Sequence, residues 1–315
     1  MLHYDFPLVP FLFATALSVN GLRKRSLSPS GAAAAFLTGI SMLSLPLRTP
    51  GIVLITFYLL GSSATRAGQP RKAALEDGHD HAQAGYRTAA QVFSNSASAL
   101  IATLAWGALH APGFPGVRVA EALFGIHSMP YADEAWCPLD AAVTNGWSRV
   151  LLFVVLGHFA CCMGDTLASE LGILSSMPPI LLTTLKPVPP GTNGALSLLG
   201  TSASIGGGMA MGWTMWAALS VENAACRDQT GDLFLLLLGW GAIAGGLGSL
   251  LDSLLGATLQ RTQYSNTSKR ILTDSSTIPQ DGSDIKVVSG IDVLSNNNVN
   301  LISSTLTALA LGYFA

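Results

Sequence analysis

Residues 232–259 read DLFLLLLGWGAIAGGLGSLLDSLLGATL, an apolar run that carries one carboxylate, Asp252, inside its body. Crossing a bilayer takes about 20 such residues. A charge held within the span is costly, so Asp252 reads as a functional residue. The same run places Gly241, Gly245, Ser249 and Ser253 four apart, and the preceding apolar run repeats the pattern with Gly200, Ser204, Gly208 and Gly212. Small residues at this spacing let two helices approach closely. The two runs are therefore expected to pack together. Packing explains the glycines but not Asp252, which calls for a metal or another cation beside it.

The rest of the chain has the same character. Half of the 315 residues are hydrophobic and 11% are charged, against roughly 25% in a soluble domain. The fold class expected is all-α: a multi-pass integral membrane protein of about eight transmembrane helices, forming a single membrane domain over residues 1–315. The spans are read at Phe6–Gly21, Gly31–Leu47, Gly51–Thr65, Thr88–His110, Arg149–Met163, Gly194–Ser220, Asp232–Leu259 and Asn298–Ala315. The first is read as an anchor, because Arg23-Lys24-Arg25 follows it rather than preceding it.

Charge placement orients the spans. Of the 16 Lys and Arg, all but Arg48, Arg118, Arg149 and Arg227 fall in the loops near 22–30, 66–87, 164–193 and 260–297. The positive-inside rule puts these loops in the cytosol and both termini outside or in a lumen. The loop 111–148 then lies outside. Cys137 and Cys226 share that outer side, where a disulfide can form and two free thiols are the alternative. Such a pair favours an endomembrane, the endoplasmic reticulum, over the plasma membrane or an organelle inner membrane. The four Cys have no zinc-like spacing. The sequon Asn266-Thr267-Ser268 faces the cytosol and is expected to stay unmodified. The Ser/Thr/Asp/Asn-rich stretch 260–290 is read as partly disordered or as a small hairpin around Asp281-Gly282.

Four polar clusters fall on the cytosolic side. Asp165 and Ser169 share one helical face and Thr166 and Glu170 the next. A carboxylate beside hydroxyls suits Mg²⁺, which is held by one or two carboxylates with waters and phosphates. His158, two turns deeper, reads as packing. The loop Lys186-Pro187-Val188-Pro189-Pro190-Gly191-Thr192-Asn193-Gly194 offers a point charge at Lys186 and a backbone able to approach a ligand. Asn193-Gly194 is expected to open the sixth span and present free N–H groups to an anion. Arg87, Gln91 and Asn95 form a polar stripe, and Asn296, Asn297, Asn298 and Asn300 open the last span. Both a nucleotide site and interhelical hydrogen bonding fit these stripes. Asp77, His79, Asp80 and His81 read as a solvated loop with some metal-ligand character.

The segments Arg87–Asn95, Gly164–Gly172, Pro189–Gly194 and Asp252–Gln260 resemble, in order and over nearly the whole chain, the transmembrane protein 19 family. The resemblance implies an isoprenyl-phosphate kinase, since a plant member converts phytyl monophosphate to the diphosphate. It also implies distant likeness to phytol and dolichol kinases and to CDP-diacylglycerol synthases, which use CTP or another nucleoside triphosphate with Mg²⁺. On that comparison Asp165, Asp252 and Lys186 fall in the reacting site, with Asp165 and Asp252 on the metal. Arg87, Gln91, Asn95, Gly191, Thr192, Asn193, Gly194 and Ser253 bind nucleotide or phosphate, and Ser169, Glu170, Gln260 and Asn300 are secondary. Two departures stand out: Asn296-Asn297 replaces an Asn-Asp pair, and Thr88 follows Arg87. The partners expected are the bilayer and an isoprenyl-phosphate lipid, with no nucleic acid. The alternatives are a cytidylyltransferase forming a CDP-lipid, and a transporter or lipid-binding membrane protein.

Overall fold

The computed structural model describes residues 6–75, 85–111, 113–114, 116–125, 127–272, 276 and 284–314. All eight apolar runs contain helix: α1 (Leu8–Arg23), α2 (Pro29–Leu43), α3 (Thr49–Arg66), a short α4 (Gln69–Leu75), α5 (Ala89–Ser94) with α6 (Ala97–His110), α7 (Val117–Phe124), α8 (Trp147–Gly172), α9 (Leu198–Glu222), the single turn α10 (Ala224–Arg227), α11 (Thr230–Leu259) and α12 (Asn296–Phe314). Among the described residues, two helices are long and apolar enough to cross a membrane by that measure alone, Val143–Gly172 and Thr230–Leu259. α9 is of similar length, but Gly, Ser and Thr dilute its hydropathy.

Several boundaries differ from the sequence reading. The fourth run is two helices, broken at Asn95 and Ser96, where Ser96 has φ −146°. The fifth continues past Met163 to Gly172, so the Asp165–Glu170 segment is helical, as its spacing implied. The sixth begins at Leu198, not Gly194: Ser197 is its N-cap and accepts from Gly200 N at 3.0 Å. The expected helical architecture is present, and two small sheets, not anticipated as such, accompany it. β1 (Ile180–Leu181) pairs with β2 (Ala195–Leu196), and β3 (Thr262–Ser265) sits between β4 (Arg270–Leu272) and β5 (Ile285–Ser289), all antiparallel. The stretch 260–290 is thus partly sheet. Asp281-Gly282 and the Asp77–His81 cluster lie outside the described residues.

α8 is the centre. Every residue from Leu151 to Gly164 is buried, as suits a helix that is apolar around its whole circumference. α9, α11, α12, α6 and α3 pack around it. Contact between α8, α9 and α11 is backbone against backbone. A Cβ on Gly164 would lie 2.5 Å from Gly245 O, one on Gly245 2.5 Å from Ser204 O, and one on Gly208 would collide with Gly241 O. The glycine pairing expected from the four-residue spacing is therefore present. On the outside, large apolar side chains stay exposed, Leu198 at 78% and Leu235 at 70% among them. An apolar surface of this extent needs a cover other than water.

The two ends of the bundle differ. At one end Cys137 is disulfide-bonded to Cys226, and Asn223 donates to Tyr131 Oη (3.1 Å) and Trp136 O (3.1 Å). Glu222, at the end of α9, accepts from Arg48 N and from Thr49 Oγ1 (2.6 Å), capping α3 where Arg48 offers no side-chain cap. At the other end α8 and α11 finish while α9 and α12 begin, and a polar cavity opens among them.

The backbone contact predicts a contrast on one helix. Gly208→Val is expected to destabilise the folded protein in detergent by about 1–3 kcal/mol through overpacking. Gly206→Val, where an added Cβ meets nothing within 4 Å, is expected to leave the thermal midpoint unchanged. Equal midpoints for the two variants would contradict the packing.

Candidate functional site

The cavity measures about 420 Å³. Asp165 on α8 and Asp252 on α11 form its floor, each seven residues before the end of its helix. Their carboxyl groups lie within hydrogen-bonding reach of each other. Ser303 on α12 donates to Asp252 Oδ2 at 2.7 Å. Among the described residues neither carboxylate has an ion-pair partner. Two carboxylates held together in a largely enclosed site are an arrangement that a cation stabilises. Asp165 and Asp252 are the residues suited to hold one. Among the described residues no group of three or more His, Cys, Asp or Glu gathers, so such a cation would take its remaining ligands from water or from a bound anion.

One wall is the loop before α9. Gly191 (φ +88°) and Gly194 (φ +75°) adopt backbone that favours glycine. Gly194 also sits so close to α11 that a Cβ would lie 2.6 Å from Ala257 N. Thr192 closes its own turn by donating to Pro189 O at 2.7 Å. Asn193 is clasped by the sheet: its N donates to Thr262 Oγ1 (3.2 Å) and its O accepts from Ser289 Oγ (3.5 Å). Ser197, Gly200 and Thr201 of the α9 N-terminus complete this side.

The opposite wall carries the positive charge. Arg87 is pinned by its backbone, its N donating to Ser26 O (3.1 Å) and its O accepting from Ser28 N (3.0 Å). Its guanidinium donates to Ser62 Oγ at 2.8 Å and lies 5.9 Å from the Tyr58 ring centre. Gln91 lines the cavity, but its Oε1 already accepts from Thr88 N (3.0 Å) in a capping box with Thr88. Thr88, a departure from the family pattern, therefore has a structural task here. Asn300 Nδ2 donates to Asn95 Oδ1 at 3.3 Å, joining α12 to the break between α5 and α6, and Asn300 Oδ1 is buried without a partner.

The cavity thus brings together Arg87, Gln91, Asn95, Asp165, Ser169, Glu170, Gly191, Thr192, Asn193, Gly194, Asp252, Ser253, Gln260 and Asn300. Lys186 is not among its lining residues. It sits exposed at the far tip of the loop, where its O accepts from Leu181 N at 2.9 Å. His158 is buried away from the cavity, with Nδ1 2.6 Å from Ser98 Oγ.

Sequence reasoning missed Lys72. It is 2% exposed, and its Nζ bonds Glu170 Oε2 (2.6 Å), Ala64 O (2.9 Å) and Thr65 O (3.4 Å). It caps the end of α3 and holds Glu170 at the cavity edge. Nothing in the local sequence signals a contact across 98 residues. Ser303 and Ser62 were missed as well, although Ser303 follows Asn300 by three and so shares its helical face.

The fold and the site define a polytopic helical membrane protein with a polar cavity at one end of its bundle. The chain belongs to the integral membrane protein DUF92 family, whose model matches residues 12–308. This bears out the resemblance to the transmembrane protein 19 family. It is 30% identical to Protein PGR of Arabidopsis thaliana over 297 residues, 94% of this chain and 92% of that protein. An uncharacterized membrane protein of Synechocystis sp. is 26% identical over 240 residues, 75% of this chain and 73% of the other. One of Methanocaldococcus jannaschii is 34% identical over 143 residues, 41% of this chain and 54% of the other. No solved structure matches the chain.

The Lys72–Glu170 ion pair, buried at Lys72 and partly exposed at Glu170, gives a testable coupling. Lys72→Met strands Glu170 and is expected to cost about 3 kcal/mol. Lys72→Met combined with Glu170→Gln is expected to recover about 1–2 kcal/mol of that in a double-mutant cycle. Additive effects in the detergent unfolding midpoints would show that the two do not interact.

Proposed function

We propose that this protein is a Mg²⁺- and nucleoside-triphosphate-dependent kinase that converts an isoprenyl monophosphate, of phytyl or geranylgeranyl type, to the diphosphate. The observation that carries the reading is the meeting of Asp165 and Asp252 on the floor of a cavity whose walls are Arg87 and the Gly191–Gly194 backbone. Family membership and the motif resemblance support it.

The donors fit the ion. Asp165 and Asp252 supply two hard oxygen ligands, which leaves positions for water and phosphate, as Mg²⁺ requires. When bound, Mg²⁺ neutralises and aligns the phosphate oxygens of the nucleotide. The remaining work belongs to the chain. Arg87, with its fixed backbone, holds the lipid phosphate. The amides near Gly191–Gly194 and the start of α9 bind the nucleotide phosphates. An oxygen of the lipid monophosphate forms a bond to the γ-phosphorus, the bond from that phosphorus to its bridging oxygen breaks, and nucleoside diphosphate leaves. The attacking oxygen is already ionised, so no general base is needed. This agrees with a cavity that His158 does not line. CTP is the nucleotide that the resemblance favours.

The same reading carries an eight-span topology with both termini on the non-cytosolic side, the cavity facing the cytosol, in an endoplasmic-reticulum-type endomembrane. Clustering of most Lys and Arg toward the cavity end supports that orientation. Lys186→Cys is expected to react with a membrane-impermeant maleimide from the cytosolic face only, because Cys161 and Cys162 are buried and Cys137 and Cys226 are paired. Labelling from the lumenal face alone would invert the topology.

Purified protein with geranylgeranyl or phytyl monophosphate, Mg²⁺ and CTP, ATP, GTP or UTP is expected to yield lipid diphosphate and nucleoside diphosphate. Asp165→Asn and Asp252→Asn are each expected to lower turnover by about a hundredfold or more. Release of pyrophosphate in place of nucleoside diphosphate would identify a CDP-lipid synthase. Absence of diphosphate product with all four nucleotides would refute the kinase reading.

A further inference from the structure

A second cavity, about 80 Å³, lies between α1, α2, α3 and α5. Its walls are apolar: Ala14, Leu17, Leu27, Ala35, Leu43 and Phe57 are among them. At one end it shares Arg87, Gln91 and Asn95 with the polar cavity, so the same three side chains border both. Thr38 stands in its wall, 1% exposed, with Oγ1 lacking any hydrogen-bond partner. Among the described residues four buried side-chain atoms are orphaned, those of Thr38, His110, Thr144 and Asn300. Thr38 and Asn300 each line one of the two cavities. The unmet hydroxyl sets this wall apart from a fully satisfied core, and the apolar side chains around it decide what kind of occupant it suits.

We infer that this cleft receives the head-proximal stretch of the substrate's hydrocarbon chain, so that the phosphate lies at Arg87 and the chain runs between α1 and α2 toward the bilayer. The inference rests on the lipid-phosphate reading above. Three features commit it to that occupant. The cationic group stands only at the end shared with the polar cavity. The walls beyond it suit hydrocarbon. The volume accommodates a short branched stretch, not a whole long tail, and the surrounding helices carry exposed Phe13 and Leu37 on which the remainder can lie. The cleft would thus select for the branched chain near its head group, while the distal chain stays in lipid.

Gly39 offers a way to close the cleft without displacing backbone, since an added Cβ would meet Ala14 Cβ at 3.7 Å, an ordinary contact. Gly39→Val and Ala35→Leu each place bulk in the cleft, and two positions guard against one variant failing to fold. Binding is measured by native mass spectrometry and thermal shift in detergent without Mg²⁺ or nucleotide, using farnesyl monophosphate, dimethylallyl monophosphate and inorganic phosphate. Wild type is expected to prefer farnesyl monophosphate over inorganic phosphate. Variants with unchanged ligand-free midpoints are expected to lose tenfold or more of farnesyl monophosphate affinity. A diazirine on the first isoprene unit is expected to label α1, α2 or α3. These binding readouts are separate from turnover, so the cleft stands on them even if no kinase activity is found. Labelling confined to α9 or α11, variants that bind farnesyl monophosphate as wild type does, or a wild type indifferent to the chain would each overturn the proposal.

Discussion

Backbone contact among α8, α9 and α11 governs the rest of the molecule. Helices separated by ordinary side chains lie 8–10 Å apart. Glycines at Gly164, Gly208, Gly241 and Gly245 remove the side chains from the contact, and the axes close until Cα and carbonyl atoms touch. Gly164 precedes Asp165 by one residue, and Gly245 precedes Asp252 by seven, two turns of helix. The crossing therefore sets the depth and facing of both carboxylates. With larger residues at the crossing, Asp165 and Asp252 would stand apart. Brought together, they form one oxygen-lined floor.

The cost of that floor is met by the elements around it. α8 and α11 aim their C-termini at the cavity, and α9 and α12 aim their N-termini there. The positive ends of α9 and α12 border the cavity, which suits an anion beside them, while the two carboxylates suit a cation at the floor. Ser303 and the Asn95–Asn300 bond tie α12 into the same arrangement. The small sheet of β3, β4 and β5 acts from outside by clasping Asn193, so the glycine loop is held by hydrogen bonds at Asn193 and steric contact at Gly194.

Much of this was legible in the sequence because its signals are local and energetic. Asp252 stands out against an apolar run, and the four-residue spacing of small residues announces the helix contact. Other parts were hidden for physical reasons. Lys72 lies on a short polar helix and meets Glu170 only after folding brings distant segments together. The break at Asn95 falls inside a stretch whose polar residues also fit one continuous helical stripe, so their four-residue spacing passes over it. The strands TQYS and IKVVS sit in a polar stretch whose composition masks their extended backbone. Lys186 shows the opposite failure: a cation beside a glycine loop suggests phosphate binding, yet the β1–β2 pairing turns that tip of the loop outward.

The charges lining the cavity carry a further consequence. Asp165, Glu170 and Asp252 are acidic, and Arg87 is the single basic residue among the described lining side chains. Lys72 stands behind the wall and is spent on Glu170. A polyphosphate entering this cavity meets an excess of negative charge, and repulsion between such groups in a low-dielectric interior is large. Arg87 can balance one lipid phosphate but not a nucleotide as well. On the kinase reading proposed above, nucleotide binding would depend on a cation arriving with it, seated where the two carboxylates meet. Without that cation the acidic lining would oppose a nucleoside triphosphate, whereas a lipid monophosphate would keep to the Arg87 wall. On this reading the lipid can bind first and the nucleotide only with its metal.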